Sequence, residues 1–473
     1  MKKLLLPLIA VSVMILSSCA VGPDFQKPQV DTLDVYRFDS LRVDSIANLE
    51  WWNLFDDSVL DSLVITALRN NKDLLIAVSR IEEARANLGF TKADIYPKLD
   101  ISAGAARGDY AIGIRLPQLG NNFNVSAPLS WEIDFWGKFR RANESARAQL
   151  LASEYSLRTV QLSLISEVVS TYFQLLDYDQ RLKIAEETVR SREKSLNIIQ
   201  QRYDQGIIPE IDINQAEIQK EIAVSAVPFY RRLKVKTENV LNILLGKLPL
   251  EIERGKILKE QTIPPDIPPG LPAQLLERRP DIRQAEYLVM AQNAQIGVAE
   301  AMRLPAISLT AVLGFASTDL SSLISGGPAW SIGGNLFGPL FNFGKNIRRV
   351  EIQEEKTKQA LLGYENTVLN AFREVEDALV EVQTYREQAA SKKRQVDAAR
   401  NALSLSRERY DGGITSYLEV LDAERSWFTA ELELSDVRRS YLTAYIKLYK
   451  ALGGGWITKE EKQAEQNNQQ SQN

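Results

Sequence analysis

The chain has 473 residues, enough for two or three ordinary domains, and 45% of them are hydrophobic, which suffices for a substantial core. Its net charge is −4, so it offers no basic surface for nucleic acid. It contains no histidine and a single cysteine, Cys19, which removes the commonest general base, the commonest metal ligand and any intramolecular disulfide. We therefore predict no catalytic residue, no metal site and no nucleic-acid partner.

The N-terminus has the pattern of a bacterial export signal. Two lysines precede an apolar run at 4–15, which is too short for a permanent membrane-spanning helix, and the motif LSSC follows at 16–19. Small residues directly before a cysteine resemble the lipoprotein cleavage box, and this resemblance implies that residues 1–18 are removed and that Cys19 carries lipid. An ordinary secretory leader with an incidental cysteine is the alternative. No other run of 18 apolar residues occurs, so we expect no membrane-spanning helix.

An internal repeat organises most of the chain. The stretch "RYDQGIIPEIDINQAEIQ" (202–219) matches "RYDGGITSYLEVLDAERS" (409–426), and Gly206 aligns with Gly413. Two copies of one unit are therefore predicted. The predicted boundaries are a lipid-anchored N-terminal segment at 19–56, a first repeat at 57–246, a proline-rich linker at 247–271, a second repeat at 272–456 and a polar, disordered tail at 457–473.

Each repeat is predicted to contain the same elements in the same order. A helix, at about 57–95 or about 272–303, is followed by two strands, a long helix, a glycine turn and a last helix of some 35 to 40 residues. Trp51 and Trp52, before the first helix, are expected to anchor the N-terminal segment by packing, with a position among lipid headgroups as the alternative. The predicted strands are 98–107, 123–135, 306–317 and 330–338, with hairpin loops at 108–122 and 318–329.

The long helices are predicted at 138–204 and 345–411. At 1.5 Å per residue the first would extend roughly 100 Å. Apolar residues recur along it every three or four positions, so one stripe of the helix is expected to be buried. A coiled coil explains this pattern locally and leaves the strands unexplained.

The strands indicate a membrane. In "FNVSAPLSWEIDF" (123–135) apolar and polar side chains alternate, so one face of the strand is apolar. The alternating stretches are about as long as the roughly 9–11 residues that cross a hydrocarbon layer when tilted. Backbone groups in lipid must all be paired, and the smallest membrane barrels have about eight strands, so four strands cannot close alone. Several copies must therefore share one barrel, and two, three or more copies satisfy this condition.

A soluble sheet packed on helices is the alternative interpretation of the same strands. Its apolar face would then be ordinary core. Pro128 argues slightly against a central strand, because proline removes a donor from the ladder. It is also the kind of residue that marks where a strand bends as it leaves a membrane.

The motifs taken together resemble the outer-membrane factor family, the TolC-like efflux channels, and in particular its lipoprotein branch. They are "CAVGPDFQKP" (19–28), "WWNLFDDSVLDSLVITAL" (51–68), "LERRPDIRQAE" (276–286) and the two glycine turns. The resemblance covers nearly the entire mature chain. It implies a mainly α fold with a membrane β-barrel: a homotrimer with twelve strands, four from each subunit, a long periplasmic α-helical barrel and a mixed α/β equatorial region.

The resemblance also implies a function. The trimer would be a passive exit duct for small molecules in the outer membrane, extending into the periplasm, where an adaptor protein couples it to an inner-membrane RND-type transporter. Cys19 would carry N-palmitoyl and S-diacylglycerol groups, and no other cofactor is implied. A TolC-like channel for protein export and a structural periplasmic lipoprotein spacer are the alternatives. The sequence does not identify the exported substrate.

Residues at the periplasmic tip follow from the same resemblance. The turns at Gly206 and at Gly412-Gly413 are expected to contact the adaptor. Tyr203 and Tyr410 precede these turns and are candidates for the same contact and for capping the closed tip, with interhelical packing as the alternative.

Three carboxylates are implied to form the channel gate: Asp212, Glu419 and Asp422. They match positions where family members carry acidic residues that line the constriction. Threefold symmetry would turn each into a ring of like charges, which repel one another and attract cations. Solvated carboxylates on a helix surface are the alternative. Thr415 replaces an arginine of some relatives, which removes one partner of the salt bridges that hold those relatives shut.

Overall fold

The computed structural model describes residues 20–30, 36–37, 51–111, 114–264 and 272–454. The signal peptide predicted at 1–18, the lipid-anchor residue Cys19 and the tail predicted at 457–473 lie outside the described residues. Contacts divide the chain into two units. Among the described residues, the first comprises 20–30, 79–111, 114–154 and 284–366, and the second comprises 36–37, 51–78, 155–264, 272–283 and 367–454.

The first unit contains an antiparallel sheet. Its strands are β1 (Lys98–Leu99), β2 (Ser102–Ala111), β3 (Ile114–Ile133), β4 (Ala306–Ser317) and β5 (Ala329–Phe337). Both β1 and β2 pair with the same side of β3, so they are two parts of one edge strand. On the other side, β3 pairs with β4, and β4 pairs with β5.

Helices make up most of the remaining described chain. They are α1 (Ser58–Asn70), α2 (Lys72–Ala93), α3 (Lys138–Asp204), α4 (Glu210–Leu244), α5 (Pro272–Arg278), α6 (Pro280–Ala301), α7 (Lys345–Asp411) and α8 (Tyr417–Ala451). Helices α3 and α7 have 67 residues each, which confirms both predicted long helices, and α4 and α8 have 35 residues each. Within the described part of the chain, no helix combines the length and the apolar character needed to cross a membrane.

Two helices predicted as continuous are each interrupted at one residue. The helix predicted at about 57–95 is broken at Asn71, whose ψ of 132° is not helical and whose Oδ1 accepts a hydrogen bond from Leu74 N at 3.0 Å. This side chain caps the start of α2. The helix predicted at about 272–303 is broken at Arg279, because Pro280 disfavours the helical conformation of the residue before it.

The first hairpin is longer than predicted. Strand β2 continues to Ala111 and β3 begins at Ile114, so most of the loop predicted at 108–122 is strand. A register shift between Gly108 and Tyr110 accommodates this extension. Glycine, proline and asparagine in the stretch indicate a loop locally, but cross-strand pairing overrides local propensity in sheets.

Pro128 lies in the central strand β3, opposite Val312 of β4, so the argument against a central strand was wrong. The missing N–H of Pro128 affects the edge strand formed by β1 and β2, which pairs with β3 on the side away from β4. Asp100 N donates to Pro128 O at 3.0 Å, and the proline has no N–H to donate in return. The edge strand is interrupted at this point, between β1 and β2. The proline therefore breaks its partner strand and leaves its own strand intact.

The core of the second unit joins its N-terminal segment to the long helices. The 3₁₀ turn Trp51–Phe55 and α1 pack against α3, α4 and α8. Trp52 is buried in this cluster, which confirms for that residue the predicted packing of the segment. Buried Asp57 caps α1 by accepting from Val59 N at 3.0 Å, and it also accepts from Tyr172 Oη at 3.1 Å. One carboxylate thus fixes α1 to α3.

Candidate functional site

The register of the sheet brings the apolar side chains of all its strands to one face. Trp131 of β3 lies opposite Leu309, and Leu313 of β4 lies between Ala127 and Trp330. Neighbours on adjacent strands share a face, so the alternation predicted in β3 continues across the sheet. The apolar face comprises Leu99, Phe123, Val125, Ala127, Leu129, Trp131, Ile133, Ile307, Leu309, Ala311, Leu313, Phe315, Trp330, Ile332 and Leu336.

The opposite face of the sheet is small and polar. Ser126 lies opposite Gly314, Ser130 opposite Thr310, and Ser308 opposite Asn335. A sheet with one apolar and one polar face separates two environments.

No described residue covers the apolar face at β5. Trp330 is 72% exposed and Ile332 is 76% exposed. A soluble single chain would bury these side chains in a core, so their exposure argues against the soluble alternative. The apolar stretch of β3, 123–133, rises about 33 Å along the strand, and a tilt of about 45° reduces this to about 23 Å. A membrane barrel has an apolar band of about 25 Å, so the face has the height of a hydrocarbon layer.

The sheet has two open edges. The strand formed by β1 and β2 pairs on one side only, and so does β5, among the strands that the structure describes. Each strand is antiparallel to its neighbour, so β2 and β5 point in opposite directions. The β5 edge of one copy is therefore suited to antiparallel pairing with the β2 edge of another. In lipid such pairing is required, because unpaired backbone groups are costly there.

The two glycine turns have the same hydrogen bonds. Gly206 has a φ of 73° and Gly413 a φ of 69°, a left-handed conformation that glycine adopts without a steric penalty. Ile207 N donates to Arg202 O at 2.9 Å, and Ile414 N donates to Arg409 O at 2.9 Å. These are helix C-caps of the Schellman type. Gly412 does not have a positive φ and continues the last turn of α7.

The two tyrosines before the turns differ in their surroundings. The Tyr410 ring lies 5.2 Å from the Tyr417 ring, centroid to centroid, and the Arg202 guanidinium lies 4.9 Å from the Tyr410 ring. Tyr410 thus belongs to the interhelical packing near the turns. Tyr203 remains exposed.

Two of the three predicted gate carboxylates line one groove. Glu419 and Asp422 border a groove of about 580 Å³ between α4 and α8. Thr415 Oγ1 donates to Glu419 Oε2 at 2.6 Å, and Arg425 donates to Asp422. Both carboxylates therefore have partners within the subunit.

Asp212 is placed differently. It lies in the first turn of α4 and is not part of the groove lining. Partial burial raises the pKa of its carboxyl above the ordinary value. The Asp212 charge also acts on Tyr417, whose pKa is raised chiefly by burial.

Several charged residues near the tip were missed from the sequence. Arg202 Nη2 lies 2.8 Å from Asp411 Oδ1 and joins the C-terminal ends of α3 and α7. The motif "RYD" occurs before both glycine turns and was the available signal. Further from the turns, buried Arg192 of α3 lies 4.0 Å from buried Glu424 of α8, and Glu424 lies 2.7 Å from Arg407 of α7. Burial lowers the pKa of Arg192.

The described N-terminal segment is held beside the end of the sheet. Val21 N donates to Trp136 O at 3.1 Å, and Arg141 Nη2 donates to Gly22 O at 3.1 Å and Asp24 Oδ1 at 2.7 Å. Ala20 lies against Gly137, four residues after β3 ends. The residue after Cys19 is thus fixed next to the end of the apolar face.

The chain combines long helices with a sheet whose apolar face is uncovered and whose edges are open. These are the features of a channel-forming outer-membrane protein. The family model described as "Outer membrane efflux protein" matches residues 63–247 and 271–454. The chain therefore belongs to the outer membrane efflux protein family, and its location is the outer membrane.

Individual relatives match over nearly the whole chain. The cation efflux system protein CusC of Escherichia coli O6:H1 is 34% identical over 454 residues, covering 93% of this chain and 96% of that protein. The solvent efflux pump outer membrane protein SrpC of Pseudomonas putida is 35% identical over 469 residues, covering 95% and 98%. The crystal structure of the Campylobacter jejuni CmeC outer membrane channel matches with a TM-score of 0.87 and 29% identity, covering 95% and 98%. The fold is that of the TolC-like channels.

Proposed function

We propose that the protein is the passive exit duct of a tripartite efflux pump and that it works as a homotrimer. The observation that carries the proposal is the apolar face of the sheet, exposed in the single subunit and bounded by two open edges. Four strands from each of three copies give a closed barrel of twelve, above the minimum of about eight. Two copies would also reach eight, and it is the resemblance to TolC-like channels that favours three.

The proposed partners are a periplasmic adaptor and an inner-membrane RND-type transporter. A relative named as a component of an efflux pump supports such an assembly. Energy would come from the transporter, so the duct needs no catalytic residue of its own. A relative named for cation efflux and one named for solvent efflux are almost equally similar, so similarity alone does not select the exported substrate.

Protein export and a structural spacer are the competing functions. A spacer has no use for an apolar face as high as a hydrocarbon layer. Protein export would use the same barrel, and the relatives named for efflux favour small molecules.

The proposed tip has two roles. The turns at Gly206 and Gly413, with Gly412 and exposed Tyr203, form the surface that the adaptor contacts, and Tyr410 supports it from within. Asp212, Glu419 and Asp422 form the gate, where threefold symmetry repeats each carboxylate around the axis.

The proposed anchor is lipid on Cys19, as N-palmitoyl and S-diacylglycerol groups. The seat of Ala20 beside the end of the sheet supports it, because lipid on the preceding residue would start at the membrane surface. Metabolic labelling with palmitate tests it: label should enter the native protein and be absent from Cys19→Ala. We expect Cys19→Ala still to form trimers, because the barrel itself holds the protein in the membrane.

Two measurements test the duct. Electrophoresis of membrane extracts without boiling reports the number of subunits, and we expect a species of three. Conductance in planar bilayers should then show discrete channels from the same material. A purified protein that is monomeric and soluble without detergent would contradict the proposal.

A further inference from the structure

We propose that the junction between β5 and α7 binds an anionic phospholipid of the periplasmic leaflet. Apolar side chains of this junction would enter the acyl layer, and Lys345 and Arg348 would bind the lipid phosphate. The inference rests on the proposed duct and adds a lipid contact to it. The internal repeat carries it, because the equivalent junction between β3 and α3 shows what such a site is built to hold.

The junction of the first repeat is covered by the N-terminal segment of the chain. Ala20 lies against Gly137. Arg141 donates to Gly22 O at 3.1 Å and to Asp24 Oδ1 at 2.7 Å, and its side chain is only 8% exposed. The segment thus supplies oxygen atoms to a cation that lies just after the end of the sheet.

The equivalent junction of the second repeat is open. Gly137 aligns with Gly344, and an added Cβ on Gly344 would meet no described atom within 4 Å. Arg141 aligns with Arg348, whose side chain is 76% exposed and whose ion-pair partner, Glu351, belongs to the same helix. A subunit has one N-terminal segment, and that segment is already in use at the first junction. A different occupant is therefore needed at the second.

The second junction also lacks an acidic partner that the first contains. Lys138 Nζ lies 2.8 Å from Glu132 Oε1. In the second repeat the lysine recurs as Lys345, which is exposed, but Pro339 stands at the position of the glutamate. The junction keeps its cation and loses the carboxylate that would neutralise it. Its charge is complementary to an anion.

The surface beside these cations is apolar. Phe341 stands at the position of Asp134, and Leu340, Phe341 and Phe343 are all exposed. The rings of Phe341 and Phe343 lie 4.6 Å apart, centroid to centroid. Leu340 aligns with Ile133, the last residue on the apolar face of β3. The junction therefore continues the apolar face of the sheet beyond the end of β5.

These two properties together select a phospholipid. Arginine binds phosphate oxygens through several N–H groups, and basic residues beside an apolar surface are the usual seat of an anionic lipid headgroup. A free phosphate would leave the apolar side chains in water, and an apolar peptide would leave the cations without a counter-charge. The first repeat would thus meet the membrane through the proposed lipid on Cys19, and the second through a lipid that is bound without a covalent bond.

Fluorescence quenching tests the apolar contact. Leu340→Cys is labelled with bimane in the full-length protein, which is reconstituted in vesicles of phosphatidylcholine and phosphatidylglycerol containing lipids with a nitroxide on the acyl chain. We expect strong quenching there and at Trp330→Cys, on the apolar face of β5. The control Leu362→Cys is an exposed position about five turns into α7 and should show none. The natural protein, whose single cysteine is Cys19, gives the background label.

The outcomes separate this inference from the proposed duct. If the Trp330 label is quenched and the Leu340 label is not, the lipid contact is wrong and the duct stands. If neither label is quenched, both proposals fail. Loss of the unboiled trimer in Leu340→Cys, without quenching, would show that a second copy covers the junction and would overturn the lipid site.

Lipid retention tests the phosphate contact. Native mass spectrometry counts the phosphatidylglycerol molecules that stay on the detergent-solubilised protein. Lys345→Gln with Arg348→Gln should weaken retention by about fivefold for each charge removed. Lys356→Gln with Lys358→Gln is the matched control, because it removes the same charge about three turns further along α7 and should leave retention unchanged.

Two results would overturn the phosphate contact. One is equal retention of phosphatidylglycerol by the two double variants. The other is displacement of the lipid by inorganic phosphate alone, which would identify a simple anion site. We expect inorganic phosphate to leave the lipid in place, because it cannot replace the contact of the acyl chains with Leu340 and Phe341.

Discussion

Helices α4 and α8 begin after glycine turns with the same hydrogen bonds and have the same length, yet they differ in what surrounds them. Helix α8 contacts α7, where Arg386 Nε donates to Tyr441 Oη at 2.9 Å. It also contacts α3, where Ser435 Oγ donates to Asp177 Oδ1 at 2.5 Å. Residues of α4 at positions equivalent to buried residues of α8, among them Glu217 and Val235, are exposed. Repeated sequence thus fixes the same local structure twice, whereas burial depends on what lies beside each copy of the repeat. Substitutions at equivalent positions can separate folding from assembly.

The largest contrast is expected at two equivalent glutamates. Glu424→Gln removes the negative charge beside buried Arg192 and leaves that cation without its counter-charge. Breaking a buried pair in this way costs about 3–5 kcal/mol. Glu217→Gln, at the equivalent and exposed position of α4, should change stability by less than about 0.5 kcal/mol.

Thermal unfolding of the purified protein in detergent measures this contrast. The midpoint should fall clearly for Glu424→Gln and stay near that of the natural protein for Glu217→Gln. Equal midpoints for the two variants would show that the charges around Glu424 are not coupled to folding.

The next contrast concerns apolar residues at equivalent positions. Leu442→Ala leaves a cavity in the core of the second unit and should cost about 2–5 kcal/mol. Val235→Ala removes side-chain atoms that are half exposed within the subunit, so subunit stability should change little. Any effect of Val235→Ala on the proposed homotrimer would instead appear as lower resistance of the trimer to detergent.

Two readouts on the same variants separate these effects. Circular dichroism reports loss of helix, and unboiled electrophoresis reports loss of the trimer. If Val235→Ala lowered the helical melting midpoint as much as Leu442→Ala while the trimer stayed intact, the Val235 side chain would contribute to the stability of the subunit core.

A smaller difference is expected between neighbouring glycines in the second turn. Gly413 has a φ of 69°, and alanine in this left-handed conformation costs about 1–2 kcal/mol. Gly412 lies in the last turn of α7, and an added Cβ there would meet Glu408 O at an ordinary 3.4 Å. Gly413→Ala should therefore destabilise the protein, and Gly412→Ala should be neutral or slightly stabilising. Urea unfolding midpoints compare the two, and equal effects would show that the turn tolerates a side chain at either position.

The local features of the fold could be predicted from sequence patterns. The features that differ from the prediction arise from contacts between residues far apart in the sequence. The long helices and the glycine turns were predictable because periodicity and a left-handed residue act locally. The extended first hairpin was not, since strand pairing outweighed the loop-forming residues at 108–122. The break before β2 arises from Pro128, which lies on the neighbouring strand.

The site shows the same division. Acidic residues near the turns were visible in the sequence, and so was the alternation of β3. The Arg202–Asp411 pair was not, because its partners belong to different repeats and only the fold brings them to 2.8 Å. The cap formed by Asn71 was missed for a related reason: its side chain ends one helix and starts the next without a proline or glycine.

The smallest expected effect concerns pH at the proposed gate. Burial raises the pKa of Asp212 above the ordinary 3.8, so this carboxyl takes up a proton before an unperturbed aspartate as the pH falls. Ionised Asp212 destabilises the folded protein at pH values above its raised pKa. The folded protein regains this stability as the pH falls from the raised pKa to 3.8, because the carboxyl becomes protonated. For the channel, protonation would remove one of the proposed rings of negative charge.

Single-channel recordings across a salt gradient test this effect. We expect the preference for cations to decline on acidification and Asp212→Asn to show a lower preference at neutral pH with a flatter pH dependence. Glu210→Gln is the matched control, because Glu210 is an exposed carboxylate in the same first turn of α4 and is not one of the proposed gate residues. If Asp212→Asn kept the full cation preference and the same pH profile, Asp212 would be a surface carboxylate outside the conduction path, and the gate would be reduced to the two residues of the α4–α8 groove.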